Sequence, residues 1–369
     1  MNRSAARVLA VLALAVLFAV PAVQASDHAD PIFLNDPEAN ITGLFVFPHG
    51  DQMILVLNVR RSTTKPAPFK LSQYEYVVNF DFHSKVEFDD EHRLRYGGAV
   101  PNSEGISPDA SIVIHLNDDT TMRDKKVTGL QAPETFRWWS GLRDDPFIFP
   151  RFFGKNVISM VVSIPMTAFP AGQQDFVIWG VTSKNGKQID HVGRSNRTQL
   201  GRFDFLNTLP PKEHVAAIMK QMKKLDPRFK WLRKYKLTTP VANLLMPTLG
   251  IRKYDLAPDV MIYSTRYPPG FPNGRRLEDD IVWKTCEYGD CDLYELAFTE
   301  GGFPRQTMND KPLLPDFPFM ADPWPDKPEM PPPMSFWRVG IWILIVIILW
   351  HLLWFWFGIW WCRRRRRAA

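Results

Sequence analysis

The segment YEYVVNFDFH at residues 74–83 decides the fold class of this chain. Apolar residues stand at 76, 78, 80 and 82, and this period of two is typical of a β-strand with one buried face. Clusters of Gly, Pro, Asn and Asp separate four further strand signals: residues 53–59, 111–116, 157–164 and 175–181. Helical periodicity is weak between them, so crossover helices are not expected. The sequence therefore predicts a mainly β domain, an antiparallel sheet or sandwich with a few helices.

Two helices are predicted in the second half of this domain. The clearer one covers residues 211–225, where a proline suits the first helical position and an apolar stripe includes Val215, Ile218 and Met219. A shorter helix is predicted at residues 241–246. Both interrupt a chain whose core we expect to be built from strands.

The segment WWSGLRDDPF at residues 138–147 is predicted to be a loop between strands. Arg143 is followed by Asp144 and Asp145, and it can pair with either carboxylate. We interpret this as a structural ion pair buried beside the aromatic residues of the loop.

The run VGIWILIVIILWHLLWFWFGIWWC at residues 339–362 contains no charged residue. As a helix rising about 1.5 Å per residue, it is long enough to cross a hydrocarbon core of roughly 30 Å. A transmembrane helix is therefore predicted at 336–362, followed by a cytoplasmic tail at 363–369. Five consecutive arginines, Arg363–Arg367, set the orientation by the positive-inside bias. They predict a single-pass protein of the inner membrane whose N-terminal domain lies in the periplasm.

The N-terminus predicts export independently. Residues 1–25 combine basic Arg3 and Arg7 with an apolar segment at 8–20 and a small-residue exit at 23–25. This pattern is typical of a secretory signal peptide that is cleaved after Ala25, and an uncleaved anchor is the rival interpretation. The predicted organisation then continues with a β-rich extracytoplasmic domain at 26–323 and a proline-rich stalk at 324–335.

The formal net charge of +6 does not indicate a nucleic-acid partner. Five of these charges belong to the arginine run beyond the apolar segment, where they determine membrane topology. The partners that the sequence predicts are the lipid bilayer and a membrane protein that contacts the tryptophan-rich helix.

The chain contains three cysteines. Cys286 and Cys291 enclose four residues in the exported region, so they can either form a small-loop disulfide or remain free thiols. No second pair or nearby histidine completes a zinc site. Cys362 stands at the predicted cytoplasmic edge of the membrane.

Two acidic clusters can be interpreted in two ways. Asp27, His28 and Asp30 follow the signal peptide, and Asp279, Asp280 and Asp310 come near the end of the domain. If they converge, their hard oxygen ligands suit a divalent cation such as Ca²⁺.

The alternative for the first cluster is a solvated N-terminal arm with Asx-type turns before the prolines. The alternative for the later cluster is an ion-pair network. Asn273 and Gly274 are a strong signal for a tight turn, which would present Arg275 and Arg276 at the edge of a loop shortly before the aspartates. Alternating charges of this kind can pin the ends of the chain to the β core.

His351 lies near the middle of the predicted span. An ionisable residue there is costly in lipid and faces protein, water or a cofactor. One interpretation is a neutral imidazole hydrogen-bonded to a neighbouring helix. The other is an axial ligand of a haem or chlorin, among Trp350, Trp354 and Trp356.

Several motifs resemble a bacterial exported family known as a domain of unknown function, DUF number four-three-three-one. The motifs occur in the order that the family shows: SDHADP at 26–31, RDDPF at 143–147, NVI at 156–158, IWGVTS at 178–183, PNGRRLEDDI at 272–281 and NDKPLLPDFP at 309–318. The resemblance spans residues 26–323. It departs from the family at the opening, where many members have Ser-His-Arg-Glu, and in the added C-terminal anchor. The family has no established activity, so the resemblance implies export but no reaction.

Three functional hypotheses follow. The chain has no G-x-S-x-G, no H-E-x-x-H and no glycine-rich phosphate loop, so catalysis is not predicted. The leading hypothesis is a membrane-anchored extracytoplasmic accessory or binding subunit of a larger membrane assembly. The alternatives are a metal-dependent extracytoplasmic enzyme or sensor, and a haem- or chlorin-ligating membrane subunit that uses His351.

Overall fold

The computed structural model describes residues 36–65, 67–194, 203–221, 256–288, 294, 305–327 and 343–356. The chain divides into two compact units, Met1–Asp326 and Lys327–Ala369. Several predictions fall outside the described residues: the signal peptide, Asp27, His28, Asp30, the helix at 241–246, Cys291, most of the stalk and the arginine run.

Ten strands lie in the described part of the first unit. They are β1 (Ile41–His49), β2 (Gln52–Thr63), β3 (Glu75–Asp81), β4 (Ala110–Leu116), β5 (Met122–Thr128), β6 (Arg137–Asp144), β7 (Asn156–Pro165), β8 (Asp175–Lys184), β9 (Lys187–Val192) and β10 (Met261–Ser264). All five predicted strands are confirmed, because β2, β3, β4, β7 and β8 contain or closely match them.

The strands form two antiparallel sheets. One has the order β1-β2-β7-β6, and the other has the order β10-β8-β3-β4-β5 with β9 paired to β8. Every pair of neighbouring strands is antiparallel. The prediction of a mainly β fold is therefore confirmed.

The principal core lies between the sheets. Alternate residues of β2, including Leu55 and Leu57, belong to the same buried cluster as Tyr76, Val78 and Phe80 of β3. This is the face that the period of two in residues 74–83 predicted.

The outer faces of both sheets are covered as well. Ile54 and Val56 of β2 pack with Leu277 and Met320, which come from late in the chain. On the second sheet, Trp179 of β8 belongs to a buried cluster formed with the segment that follows β3. A strand buried on both faces has no solvent-facing side, which explains why residues 53–59 are apolar at every position except Asn58.

The prediction of a loop at residues 138–147 is wrong for most of these residues. Residues up to Asp144 form β6, which pairs with β7 along its whole length. β6 is the edge strand of its sheet, and most of its side chains are only half buried. Its glycine and charges are typical of an edge and weakened the strand signal.

The α-helices in the described residues include α1 (Asp90–Tyr96), α2 (211–221), α3 (Ile281–Glu287) and α4 (343–356). Single turns of 3₁₀-helix occupy Ser103–Gly105, Pro133–Thr135, Pro150–Phe152, Met166–Ala168 and Asp204–Leu206. Asp89 caps α1 by accepting the His92 backbone N–H at 3.0 Å. Gly97 ends the helix with a φ of 77°, and glycine adopts that conformation without strain.

α2 begins where the sequence predicts, but its buried face differs from the predicted stripe. Ile218 is buried, whereas Met219 is 47% exposed and His214 is buried in its place. Residues 222–225 lie outside the described part. Among the described residues, no helix combines the length and apolarity that crossing a bilayer requires.

Candidate functional site

Arg275 is buried and is not displayed at a loop edge as the sequence predicted. Its side chain is 1% exposed, and its guanidinium carbon lies 3.9 Å from the centroid of the Phe45 ring. Its backbone exchanges two hydrogen bonds with Val46 of β1. Burial lowers the pKa of Arg275 to about 9, and the charge of Asp279 opposes that shift. The arginine therefore stays charged at neutral pH inside the domain.

Asp279 is the acceptor at the centre of the predicted charge network. Its Oδ2 accepts backbone N–H groups from Phe271 at 2.7 Å and Arg276 at 2.8 Å, and its Oδ1 lies 3.2 Å from Lys284 Nζ. Because this carboxylate is buried, each of these charge-assisted bonds is stronger than its exposed equivalent. Asp279 thus holds the loop before it and helix α3 after it.

Asp280 serves a different structural purpose. Its Oδ1 caps α3 by accepting the Trp283 N–H at 3.0 Å, and its Oδ2 pairs with Arg305. The contacts of Asp279 and Asp280 are those of an ion-pair network. Within the described ranges, no group of three or more His, Cys, Asp or Glu side chains is arranged to hold a metal ion.

Asn273 organises the loop before this network. Its side-chain Nδ2 donates to the carbonyl oxygens of Ser264, Tyr267 and Pro268 at 3.0–3.1 Å, and its Oδ1 accepts the Ser264 N–H at 2.7 Å. Gly274, with a φ of 68°, follows it. A Cβ at Gly274 would lie 2.5 Å from the Val46 carbonyl oxygen.

Arg143 does not pair with its neighbouring aspartates. Its Nη1 lies 2.6 Å from Asp322 Oδ1, and its guanidinium carbon lies 4.3 Å from the Trp139 ring centroid. Successive side chains of a strand point to opposite faces, so Arg143 and Asp144 cannot readily meet within β6.

Asp144 instead binds the C-terminal segment of the domain, and Asp145 binds the backbone of the loop that follows β6. Asp144 Oδ2 accepts the Asn309 Nδ2–H and Oδ1 accepts the Trp324 Nε1–H, both at 2.6 Å. Asp145 Oδ1 accepts the Phe147 N–H at 3.1 Å. Residues 309–324, far along the chain, are thereby attached to the end of β6.

Burial raises the pKa values of both carboxyl groups. The pKa of Asp144 rises to about 6, against the hydrogen bonds from Asn309 and Trp324, which favour its charged form. The pKa of Asp145 rises to about 7 because of burial first and the neighbouring Asp144 charge second, while the Phe147 N–H lowers it. Asp310, whose carboxylate accepts the Gly154 N–H, adds negative charge to both. Asp310 therefore forms one cluster of carboxylates with Asp144 and Asp145.

These raised pKa values predict that the domain is more stable at pH 5.5 than at pH 8. Both groups bind protons more tightly in the folded state than an unfolded aspartate does, whose pKa is about 3.9. Stability falls as pH rises through 6 and 7, by up to about 1.4 kcal/mol per pH unit for each group. Thermal unfolding between pH 5.5 and 8 measures this slope.

Asp145→Asn keeps the oxygen that accepts the Phe147 N–H and removes the titration. We expect a flatter pH dependence in this variant, and an unchanged one in the control Asp326→Asn, whose side chain is exposed. An equal slope in the wild-type chain and in Asp145→Asn would contradict the assignment.

A buried histidine pair was missed by the sequence analysis. The rings of His191 and His214 meet edge to face at 4.9 Å between centroids, and both side chains are fully buried. His191 Nε2 donates to the Asp259 carbonyl oxygen at 2.7 Å, and His214 Nδ1 accepts the Asp259 N–H at 3.1 Å. His214 Nε2 therefore carries the proton and donates to the Leu209 carbonyl at 2.9 Å.

No spacing motif could have revealed this pair. His191 lies on β9, His214 lies on α2, and Asp259 lies in the segment before β10. Tertiary structure alone brings these three residues together. The Asp259 carboxylate also accepts the N–H groups of Gly193 and Arg194. The cluster thus joins three parts of the chain around the backbone and side chain of the buried Asp259.

Two further predicted residues lie in the described part. Cys286, on α3, is disulfide-bonded, and the other two cysteines of the chain lie outside the described residues. His351 lies on α4 in the second unit, with an exposed side chain. The haem or chlorin hypothesis for His351 remains a prediction.

No known family model matches the chain, and no curated protein sequence is significantly similar to it. The fold defines the protein as a mainly β protein with two antiparallel sheets. The likeness to the exported family of unknown function stays a prediction that rests on the quoted motifs.

Proposed function

We propose that this protein is a membrane-anchored extracytoplasmic binding subunit of a larger membrane assembly. The observation that carries the proposal is the apolar surface of α4, considered within the second unit alone. Its large apolar side chains are exposed all around the helix, from 36% for Ile347 to 69% for Leu353. A helix with no polar face requires lipid or other apolar helices around it.

The sequence on either side of α4 supports an anchor. Residues 339–362 are free of charge, and the arginine run follows directly. A span of this length matches the hydrocarbon core, and the arginines favour the cytoplasmic side. In this proposal the two-sheet domain lies in the periplasm.

His351 favours a subunit over a simple tether. A histidine at mid-membrane depth is retained where it faces protein, water or a cofactor. We therefore propose that α4 packs against a helix of a partner protein that offers a hydrogen-bonding group to this imidazole. The charge network and the buried carboxylates of the β domain serve its stability in this proposal.

We expect the full chain to stay in membranes washed with alkaline carbonate, and a chain ending at residue 335 to be released. A fluorescent reporter fused after Ala369 should be active, and an export-dependent phosphatase at the same place should be inactive. The opposite reporter result, or release of the full chain by carbonate, would contradict the proposed anchor.

Purification in mild detergent tests the partner. We expect a membrane protein to co-purify in fixed stoichiometry, to be lost in His351→Leu and to be retained in the control Leu349→Ile. Both variants should still insert, because neither adds charge to the span. A monodisperse monomer from the wild-type chain would refute the subunit. A visible absorption band lost in His351→Leu would assign the histidine to a haem or chlorin instead.

A further inference from the structure

The two-sheet domain contains a cavity of about 320 Å³ beside Arg194. The cavity lies between the segment that follows β3, including α1, and the segment that enters β10. Much of its wall is apolar: Val100, Pro101, Leu256, Pro258, Val260 and Ile262. Its volume is within the range of small-molecule sites, which is roughly 300–1,000 Å³.

Arg194 supplies a buried positive charge to this wall. The residue is 9% exposed, and its guanidinium carbon lies 4.4 Å from the centroid of the Tyr96 ring. Its Nε and Nη2 atoms are buried and make no hydrogen bond within the described part of the chain. A buried guanidinium is costly unless an anion or an acceptor compensates it.

The backbone at Arg194 is held rigidly. The Arg194 N–H donates to Asp259 Oδ1 at 2.8 Å, and the Gly193 N–H donates to Oδ2 at 3.3 Å. A Cβ at Gly193 would lie 2.3 Å from the Asp259 carbonyl, so only glycine allows this close approach. The buried His191 and His214 hold Asp259 in turn. The guanidinium is thus presented from a fixed position, which lowers the entropic cost of binding.

Carboxylates at the rim of the cavity limit how much negative charge a ligand can carry. Glu87 and Asp89 line it, and they pair with Lys85 at 3.1 Å and with His92 at 2.6 Å. These carboxylates repel anions that carry two or more charges more strongly than they repel a monoanion. The apolar wall selects for a ligand with a hydrocarbon body.

We propose that this cavity binds a small monocarboxylate with an apolar body, whose carboxylate is held by the Arg194 guanidinium. A guanidinium recognises a carboxylate through two parallel hydrogen bonds, a geometry that lysine cannot reproduce. The proposal does not depend on the membrane anchor or on a partner subunit.

The test uses 4-fluorobenzoate and the uncharged 4-fluorobenzamide as probes, with fluorine NMR on the purified full chain. We expect 4-fluorobenzoate to bind at least about tenfold more tightly than the amide, the difference that a charged hydrogen-bonded pair supplies. Arg194→Met should remove that preference and leave amide binding unchanged. The control Arg123→Met, an exposed residue of β5, should change neither.

Thermal unfolding separates a ligand-binding arginine from a structural one. Arg194→Met removes a buried charge and keeps the length of the side chain, so we expect an unchanged or raised Tm. A second variant, Ala99→Phe, adds bulk to the cavity wall and should weaken both probes while Arg194 remains.

Three results would overturn the proposal. The first is equal affinity for the acid and the amide in the wild-type chain. The second is the absence of any binding of 4-fluorobenzoate, combined with a lowered Tm in Arg194→Met. The third is inorganic phosphate displacing 4-fluorobenzoate, because it would mean that the site is selective for charge and not for an apolar monocarboxylate.

Discussion

Asp279→Ala should lower the free energy of unfolding of the two-sheet domain by about 3–5 kcal/mol, the cost of breaking a buried charge network by removing one partner. The buried carboxylate accepts two backbone N–H groups, lies 3.2 Å from Lys284 Nζ and offsets the charge of the buried Arg275. Removing it leaves Arg275 inside the domain without this compensation. Urea unfolding of the full chain, monitored by the far-UV circular dichroism of the β-strands, measures this loss of stability.

The neighbouring Glu278 provides the matched control. Its carboxylate lies 3.2 Å from Arg276 Nη1, but its side chain is 56% exposed. An exposed ion pair contributes at most about 1 kcal/mol, so Glu278→Ala should change stability little. Asp279→Asn should fall between the two alanine variants, because the amide keeps an acceptor and loses the charge. Equal losses for Asp279→Ala and Glu278→Ala would show that burial does not strengthen this network.

Gly274→Ala should destabilise the domain by more than about 2 kcal/mol, because it combines two costs. The residue has a φ of 68°, and its added Cβ would lie 2.5 Å from the Val46 carbonyl oxygen of β1. That oxygen is fixed, since it accepts the Arg275 N–H at 2.9 Å. The loop must therefore move away from β1, which weakens the contact that carries Arg275 into the core.

Gly172→Ala is the control that carries the backbone part of this effect without the steric part. Gly172 has a φ of 77°, and nothing lies within 4 Å of the Cβ that alanine would add. Its substitution should cost only the left-handed backbone conformation, about 1–2 kcal/mol. The difference between the two variants, measured by urea unfolding, gives the cost of crowding Val46. If both lose the same stability, the close approach to β1 is not important for the fold.

The strands that the sequence predicted correctly share one property. β2, β3, β4, β7 and β8 are central strands, and burial imposes a local pattern of apolar residues on each. The prediction failed at β6, an edge strand whose half-exposed side chains include glycine and charges. The composition of an edge strand is less restricted, because one edge of the strand is exposed to solvent.

The sequence indicated which charged residues form ion pairs more accurately than it indicated their partners. The sequence marked Arg143 and Asp279 as members of ion pairs, and each lies in an ion pair within the described part of the chain. It also marked Asp144 as a partner of Arg143, but the Asp144 carboxylate accepts hydrogen bonds from Asn309 and Trp324. It paired Arg143 with the adjacent aspartates, whereas the structure pairs it with Asp322. The partner lies 179 positions away, and no local pattern encodes such a distance.

The sequence by itself determined the periodicity of the central strands, the mainly β class and the special backbone at Asn273–Gly274, because each depends on a few consecutive residues. Tertiary structure alone decided that Arg275 is buried, that His191 and His214 meet around Asp259, and that Arg194 faces a cavity. These outcomes depend on how two sheets and their covering segments pack, which brings together residues that are dozens of positions apart. Backbone preference is local, whereas the desolvation of a charge depends on the whole fold.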